Sequence, residues 1–179
     1  MKQHKKVWAV LVRELFVALF LTFFSWNACI AGPKNSPPLI EPCTLLSRAE
    51  AEAIMGEPLK QGLYSEHPVI GQKLCLYEAA DQDSFAFLNI SLTQDAFISP
   101  QVLNAGQNAR TLFTSIRKAF ADREEINDLG EAAFIATPGI HVLKDSYYLC
   151  IGAGNLNRNK DKAIMAAKKA IANLAAAVK

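Results

Sequence analysis

The chain has 179 residues, a formal net charge of +2, 51% hydrophobic residues, four cysteines and three histidines. That length suits one domain. Residues 1–31 hold Lys2, Lys5, Lys6 and Arg13 against Glu14, a net +3, so the remainder carries −1. A near-neutral domain has no field to gather nucleic acid or anionic membrane, and neither is expected as a partner.

The N-terminus has the three parts of a secretory signal. Met1–Lys6 is basic, Leu15–Phe24 is apolar, and Ser25–Ala31 is small and polar. Cys29 and Ala31 suit positions −3 and −1 of a cleavage site, so residues 1–31 read as a signal peptide cut after Ala31. An uncleaved anchor is disfavoured, because Arg13 and Glu14 interrupt the apolar segment well short of the roughly 20 residues that span a bilayer. Lipidation at Cys29 is a competing reading, although Trp26 and Asn27 fit a lipoprotein box poorly. The expected location is periplasmic or secreted, with no stable membrane span after cleavage.

Cys43, Cys75 and Cys150 then remain, in a compartment where disulfides persist. Cys43 and Cys75 flank the first helix and the first strand region and are predicted to pair, a link worth about 3 kcal/mol in the chain-entropy model. Cys150 lies in an apolar strand and reads as a buried thiol.

Gly32–Pro42 is Pro-rich and polar, an extended tether ahead of a single domain over 43–179. Ser47 and Glu50 form a capping box that opens a helix ending at Gly56. Strands are predicted at Pro58–Tyr64, Lys73–Glu78 and Phe85–Thr93, with Ser65–Gln72 as a loop. In Phe85–Thr93 the alternate residues Ala86, Leu88, Ile90 and Leu92 form the apolar face, which leaves the other side of the sheet partly wet. Ser99 and Pro100 start a long amphipathic helix running to Phe120. Asp122–Glu125 reads as a polar loop. Ala132–Thr137, Ile140–Lys144 and Ser146–Gly152 are strands, the last two a hairpin with its tip near Lys144–Asp145. Arg158–Lys179 is the final helix. The fold class is α+β, an antiparallel sheet backed by two long helices in the order α-βββ-α-βββ-α. A duplicated unit is one way to read that order.

Chemistry is sparse. The segment Gly152-Ala-Gly154-Asn-Leu-Asn157 sits where a dinucleotide fingerprint could, but Asn157 replaces the third glycine and no βαβ crossover precedes it, so it reads as a turn into a helix. His67 and His141 have no second histidine at ligand spacing, and no metal or cofactor is expected. Glu66 with His67 forms a general-base pair only if distant residues converge on it. The adjacent Tyr147 and Tyr148 point to opposite faces of a strand. One of them, with Tyr77, is the candidate exposed anchor of a recognition surface.

The segments Pro42-Cys43-Thr-Leu45-Leu46-Ser-Arg-Ala-Glu50, Ile54-Met-Gly56-Glu57-Pro58, Cys75-Leu-Tyr77, Leu129-Gly130-Glu-Ala-Ala-Phe134 and Tyr148-Leu-Cys-Ile-Gly152 resemble those of a class of small bacterial exported proteins and lipoproteins of unknown function. The resemblance spans most of residues 42–175. It implies compartment and fold and carries no activity.

The leading functional expectation is a periplasmic, non-enzymatic binding or interaction module for an envelope protein or a small ligand. Two alternatives stand beside it. One is an inhibitor or immunity-type protein that blocks a cell-envelope enzyme. The other is an enzyme with a dispersed site around His67 and His141.

Overall fold

A computed structural model describes residues Pro38–Lys179. The expected signal peptide and its cleavage after Ala31, Cys29 and the first part of the tether lie outside the described residues. The elements are α1 (Pro42–Leu45), α2 (Arg48–Met55), β1 (Leu63–His67), β2 (Ile70–Glu78), β3 (Phe87–Ile98), α3 (Pro100–Asn104), α4 (Ala109–Ala119), β4 (Glu124–Ile126), β5 (Ala132–Ala136), β6 (Gly139–Lys144), β7 (Tyr147–Gly152) and α5 (Leu156–Ala177). The strands form one antiparallel sheet in the order β1-β2-β3-β7-β6-β5-β4. The chain is α+β, and each half of the sheet is a meander whose last strand, β3 or β7, meets the other at the centre.

Helices cover the two faces unequally. Leu88, Ile90 and Leu92 of β3 pack with Tyr147, Leu149 and Ile151 of β7 under α1, α2 and α5. Ala163, Ala166, Ala167 and Ala170 bring α5 close to the strands. The opposite face carries a smaller cluster of Ala109 and Phe113 of α4 with Phe134, Leu143, Tyr148 and Cys150. Since α4 and α5 follow the two meanders on opposite faces, the strands repeat but the helix packing does not. A duplicated helix-and-sheet unit would place both on one face, because the two-fold axis of an antiparallel strand pair is perpendicular to the sheet.

Several local expectations hold. Ser47 and Glu50 form the capping box: Glu50 N–H donates to the Ser47 hydroxyl at 3.3 Å and Ser47 N–H donates to the Glu50 carboxylate at 2.8 Å. Helix α2 ends at Gly56 in the left-handed conformation. Cys43 and Cys75 are disulfide-bonded, with their Cα atoms 5.2 Å apart.

Four expectations are corrected. The long helix from Ser99 to Phe120 is two helices, α3 and α4, and Ser99 contributes no side-chain cap. The break falls at Gly106, whose φ of +84° disfavours other residues. Asn108 then caps α4 afresh: its side chain accepts from Thr111 N–H at 2.9 Å while its own N–H donates to the Thr111 hydroxyl at 2.8 Å. The sheet is therefore backed by one long helix and one of intermediate length.

The loop Ser65–Gln72 is instead a tight hairpin joining β1 to β2. Pro68 sits in its turn, and Gly71, at φ +65°, takes up a register shift between Ile70 and Gln72 that admits the Ile98 side chain. Asp122–Glu125 contains the start of an edge strand, β4, held by the Lys160–Glu124 and Arg117–Glu125 ion pairs. Finally, the last residues of the tether are docked. Ile40 is buried, its N–H donates to Gln94 Oε1 and its carbonyl accepts from Gln94 Nε2, both at 2.8 Å. Glu41 pairs with Lys73, and the Tyr147 hydroxyl donates to the Pro38 carbonyl at 2.7 Å. The packed domain starts by Pro38, five residues before Cys43.

Candidate functional site

Helix α4 covers only part of its face of the sheet. Its hydrophobic stripe packs on β7, β6 and β5 through Phe113, and it stops short of β1 and β2. Along the uncovered margin lies an open cavity of about 510 Å³. Leu112, Ile116, Ala119 and Phe120 form its helical wall, and the Thr137–Pro138 turn closes one end. Its floor is built from Ile70, Gln72, Leu74, Asn89, Ser91, Cys150, His141 and Tyr148.

Strand register explains how residues so far apart in sequence meet. Leu74 pairs with Ser91, Ser91 with Cys150, Cys150 with His141 and His141 with Phe134. The row therefore crosses five adjacent strands on one face. Gln72, Thr93 and Tyr148 form the neighbouring row. Strand alternation assigns each of these side chains to the α4 side.

The polar floor is uncharged. His141 Nε2 lies 3.3 Å from the Ala136 carbonyl, which can only accept. That nitrogen carries the proton, and Nδ1 accepts from the Tyr148 hydroxyl at 2.8 Å. The imidazole stacks on Phe134 with centroids 4.5 Å apart and planes 5° apart, and Phe113 meets Tyr148 edge-on at 5.7 Å. Burial among these rings lowers the His141 pKa from 6.5 to about 4, against a smaller upward pull from the Ala136 carbonyl. Burial also pushes the Cys150 thiol up to about 12 and raises the Tyr148 phenol.

Near neutral pH the three are therefore imidazole, thiol and phenol. Cys150 Sγ stands 3.9 Å from His141 Nε2. A cysteine nucleophile needs a thiolate, and this pair holds its proton on sulfur. The arrangement therefore holds a neutral, internally bonded cluster and offers no thiolate near neutral pH.

Of the expected aromatic anchors, none is exposed: Tyr77 and Tyr147 are 2% exposed and Tyr148 is 4% exposed. The reason is that Tyr77 and Tyr147 face the covered α5 side of the sheet and Tyr148 lies under α4. Tyr77 donates to the Leu46 carbonyl at 2.5 Å and Tyr147 to the Pro38 carbonyl, both within the α5-side core. Tyr148 alone borders the cavity.

His67 lies on the exposed edge strand β1, four strand spacings from β6 and so about 19 Å from His141. Glu66 is bound to Tyr64 and Lys73, so these residues do not converge with His141 on a common site. The turn at Gly154–Asn157 is satisfied locally, since Asn157 N–H donates to the Asn155 side chain at 3.0 Å. Among the described residues, no group of three His, Cys, Asp or Glu side chains is placed to hold a metal ion.

Ser91, Asn89, Gln72 and Leu74 escape a reading of the sequence because nothing local marks them. Only the pairing of β2 with β3 and β3 with β7 carries them to His141 and Cys150. Comparison with protein-family models, curated proteins and solved structures gives no match.

Proposed function

We propose that this chain is a non-enzymatic binding module of the cell envelope, and that the cavity between α4 and the sheet is its ligand site. The observation that supports it is the lining itself: an apolar helical wall faces an uncharged floor in which Ser91, Asn89, Gln72, His141 and Tyr148 stand beside Ile70, Leu74 and Cys150. Ligand sites combine apolar walls with a few fixed polar groups in this way.

The compartment rests on the N-terminal signal-like segment and on the Cys43–Cys75 disulfide, which suits an oxidising location. No described helix is long and apolar enough to cross a membrane. The likeness to small exported proteins of unknown function agrees with both.

The test is amide NMR of the protein titrated with the fluorescent apolar probe N-phenyl-1-naphthylamine. Shifts concentrated at Leu74, Ser91, Tyr148, Cys150 and α4 support the cavity as the site. Shifts spread over α5, or none at all, refute it.

A second reading, inhibition of an envelope enzyme through a protein interface, draws on the open sheet beside the cavity. There Leu63 and Phe87 share the α4 face and are 56% and 37% exposed, and Phe85 is 95% exposed. Capture of an enzyme from an envelope extract by the native chain, lost in Phe87→Asp with Leu63→Asp, would favour this reading over the first.

A further inference from the structure

We propose that the cavity is selective for electrically neutral, mainly apolar ligands that carry one hydroxyl- or carbonyl-type end, and that it discriminates against the same skeleton when it is charged. The inference rests on the cavity being the binding site and adds the class of ligand.

Three observations carry it. First, no Asp, Glu, Lys or Arg lines the cavity, so a carboxylate or ammonium would enter with no counter-charge. Of the charged side chains of α4, Arg110 pairs with Glu131 and Arg117 with Glu125, and the exposed Lys118 does not line the cavity. An ion seated against this lining gives up part of its hydration and meets no counter-charge in return.

Second, the helical wall is wholly apolar, and all the polar side chains except Thr137 lie on the floor, beside Ile70 and Leu74. Leu112, Ile116 and Phe120 face Ser91, Asn89 and His141 across the space. A ligand with one polar end and a hydrocarbon or aromatic body matches that division. The Gln72 and Asn89 amides and the Ser91 hydroxyl can each meet a neutral hydroxyl or carbonyl, whereas both His141 nitrogens are already bonded to Tyr148 and Ala136.

Third, the only titratable groups on the floor are held uncharged by their own packing. His141 is stacked on Phe134 and hydrogen-bonded to Tyr148, and Cys150 is buried beside them. The floor therefore offers no protonated imidazole to an anion near neutral pH.

Matched probes on the intact chain test the idea at pH 7.5. N-phenyl-1-naphthylamine is neutral, and 1-anilinonaphthalene-8-sulfonate keeps its ring skeleton and adds a sulfonate. Ala119→Trp, at an exposed position on the cavity wall, blocks the space, and the fluorescence it abolishes isolates the cavity's share of binding. The neutral probe is expected to bind in that share at least tenfold more tightly than the sulfonate. 1-Decanol should displace it at concentrations at least tenfold below those of decanoate. Leu74→Lys, which places a cation on the floor, should narrow both gaps by at least threefold.

Equal affinity for the two probes, or equal displacement by alcohol and carboxylate, overturns the ligand class while leaving the cavity as a site. Neutral-probe fluorescence unchanged by both Ala119→Trp and Leu74→Lys overturns the cavity itself.

Discussion

Gln94 is the fully buried side chain that fastens the start of the domain to the sheet, and its replacement gives the sharpest test of that packing. Its carboxamide meets Ile40 twice, receiving the N–H and donating to the carbonyl, both at 2.8 Å. Gln94→Met keeps the length and removes both bonds. If Ile40 stays docked, two buried backbone groups lose their partners, at about 1–2 kcal/mol each. If residues 38–41 peel away, those groups regain water, but the burial of Ile40 goes with them, about 2 kcal/mol. The Tyr147–Pro38 bond goes too, about 1 kcal/mol. Both routes cost about 3 kcal/mol. Urea unfolding at pH 7 measures the loss, and amide exchange at Ile40 tells the routes apart. A loss below 1 kcal/mol, with the Ile40 amide still protected, would refute the argument that this amide pair anchors the segment.

Three further outcomes follow from the packing. Reduction of Cys43–Cys75, which closes a loop over a sequence separation of 32, should lower stability by about 4 kcal/mol at 25 °C in the chain-entropy model, measured as the difference between urea curves with and without a thiol reductant. Gly139→Ala should cost more than about 2 kcal/mol in the same assay, since a Cβ there overlaps the Ile151 carbonyl across the β6–β7 ladder. His141 should make the protein acid-sensitive. Its pKa is about 4 folded against 6.5 unfolded, so the unfolded chain takes up the proton first. Its contribution is intact above pH 6.5 and is lost as pH falls toward 4, by at most about 3 kcal/mol. The check is the difference between the wild type and His141→Gln across that window, which removes the titration of carboxylates common to both.

Local chemistry was legible and non-local pairing was not. The Ser47–Glu50 box, the Gly56 stop, the alternation in β3 and the β6–β7 hairpin each depend on residues within a few positions of one another, so pattern alone locates them. Edge strands are harder, because they need little hydrophobicity. Leu63–His67 is exposed throughout, and Glu124–Ile126 looks like a charged loop until its carboxylates find Lys160 and Arg117. The segment Gly106-Gln-Asn108-Ala-Arg-Thr111 does carry a stop and a fresh cap, but the apolar periodicity running through it from Val102 to Phe120 masks the break. The hairpin tip shows how small an error suffices. With the turn at Lys144–Asp145, His141 faces Tyr148 directly. The turn lies one residue later, Lys144 pairs with Tyr147, and the residue opposite His141 becomes Cys150. The face is unchanged, since the partner moves by two, yet the chemistry beside the imidazole is different.

The same helix break accounts for the site. An unbroken helix from Ser99 to Phe120 would carry an apolar stripe nearly twice as long as that of α4. Lying on the sheet, it could cover β2 and more of β3 as well as β7 and β6. Gly106 and the Asn108 cap instead start α4 afresh, with Asp95 in the last third of β3 accepting from Ala109 N–H at 2.7 Å. That anchor ties the start of the helix to β3, from where it runs over β7 and β6 and leaves Leu74, Asn89 and Ser91 only partly covered. Polar residues at Asn89 and Ser91 fit a strand face that is not fully buried, whereas the same strand's other face is Leu88, Ile90 and Leu92. The cavity is thus written into the chain twice: in the cap that shortens the helix, and in the polar residues that tolerate the opening. A substitution that let the helix run on, such as Gly106→Ala with Asn108→Ala, should favour closure of the opening, and loss of probe binding without loss of fold would be its signature.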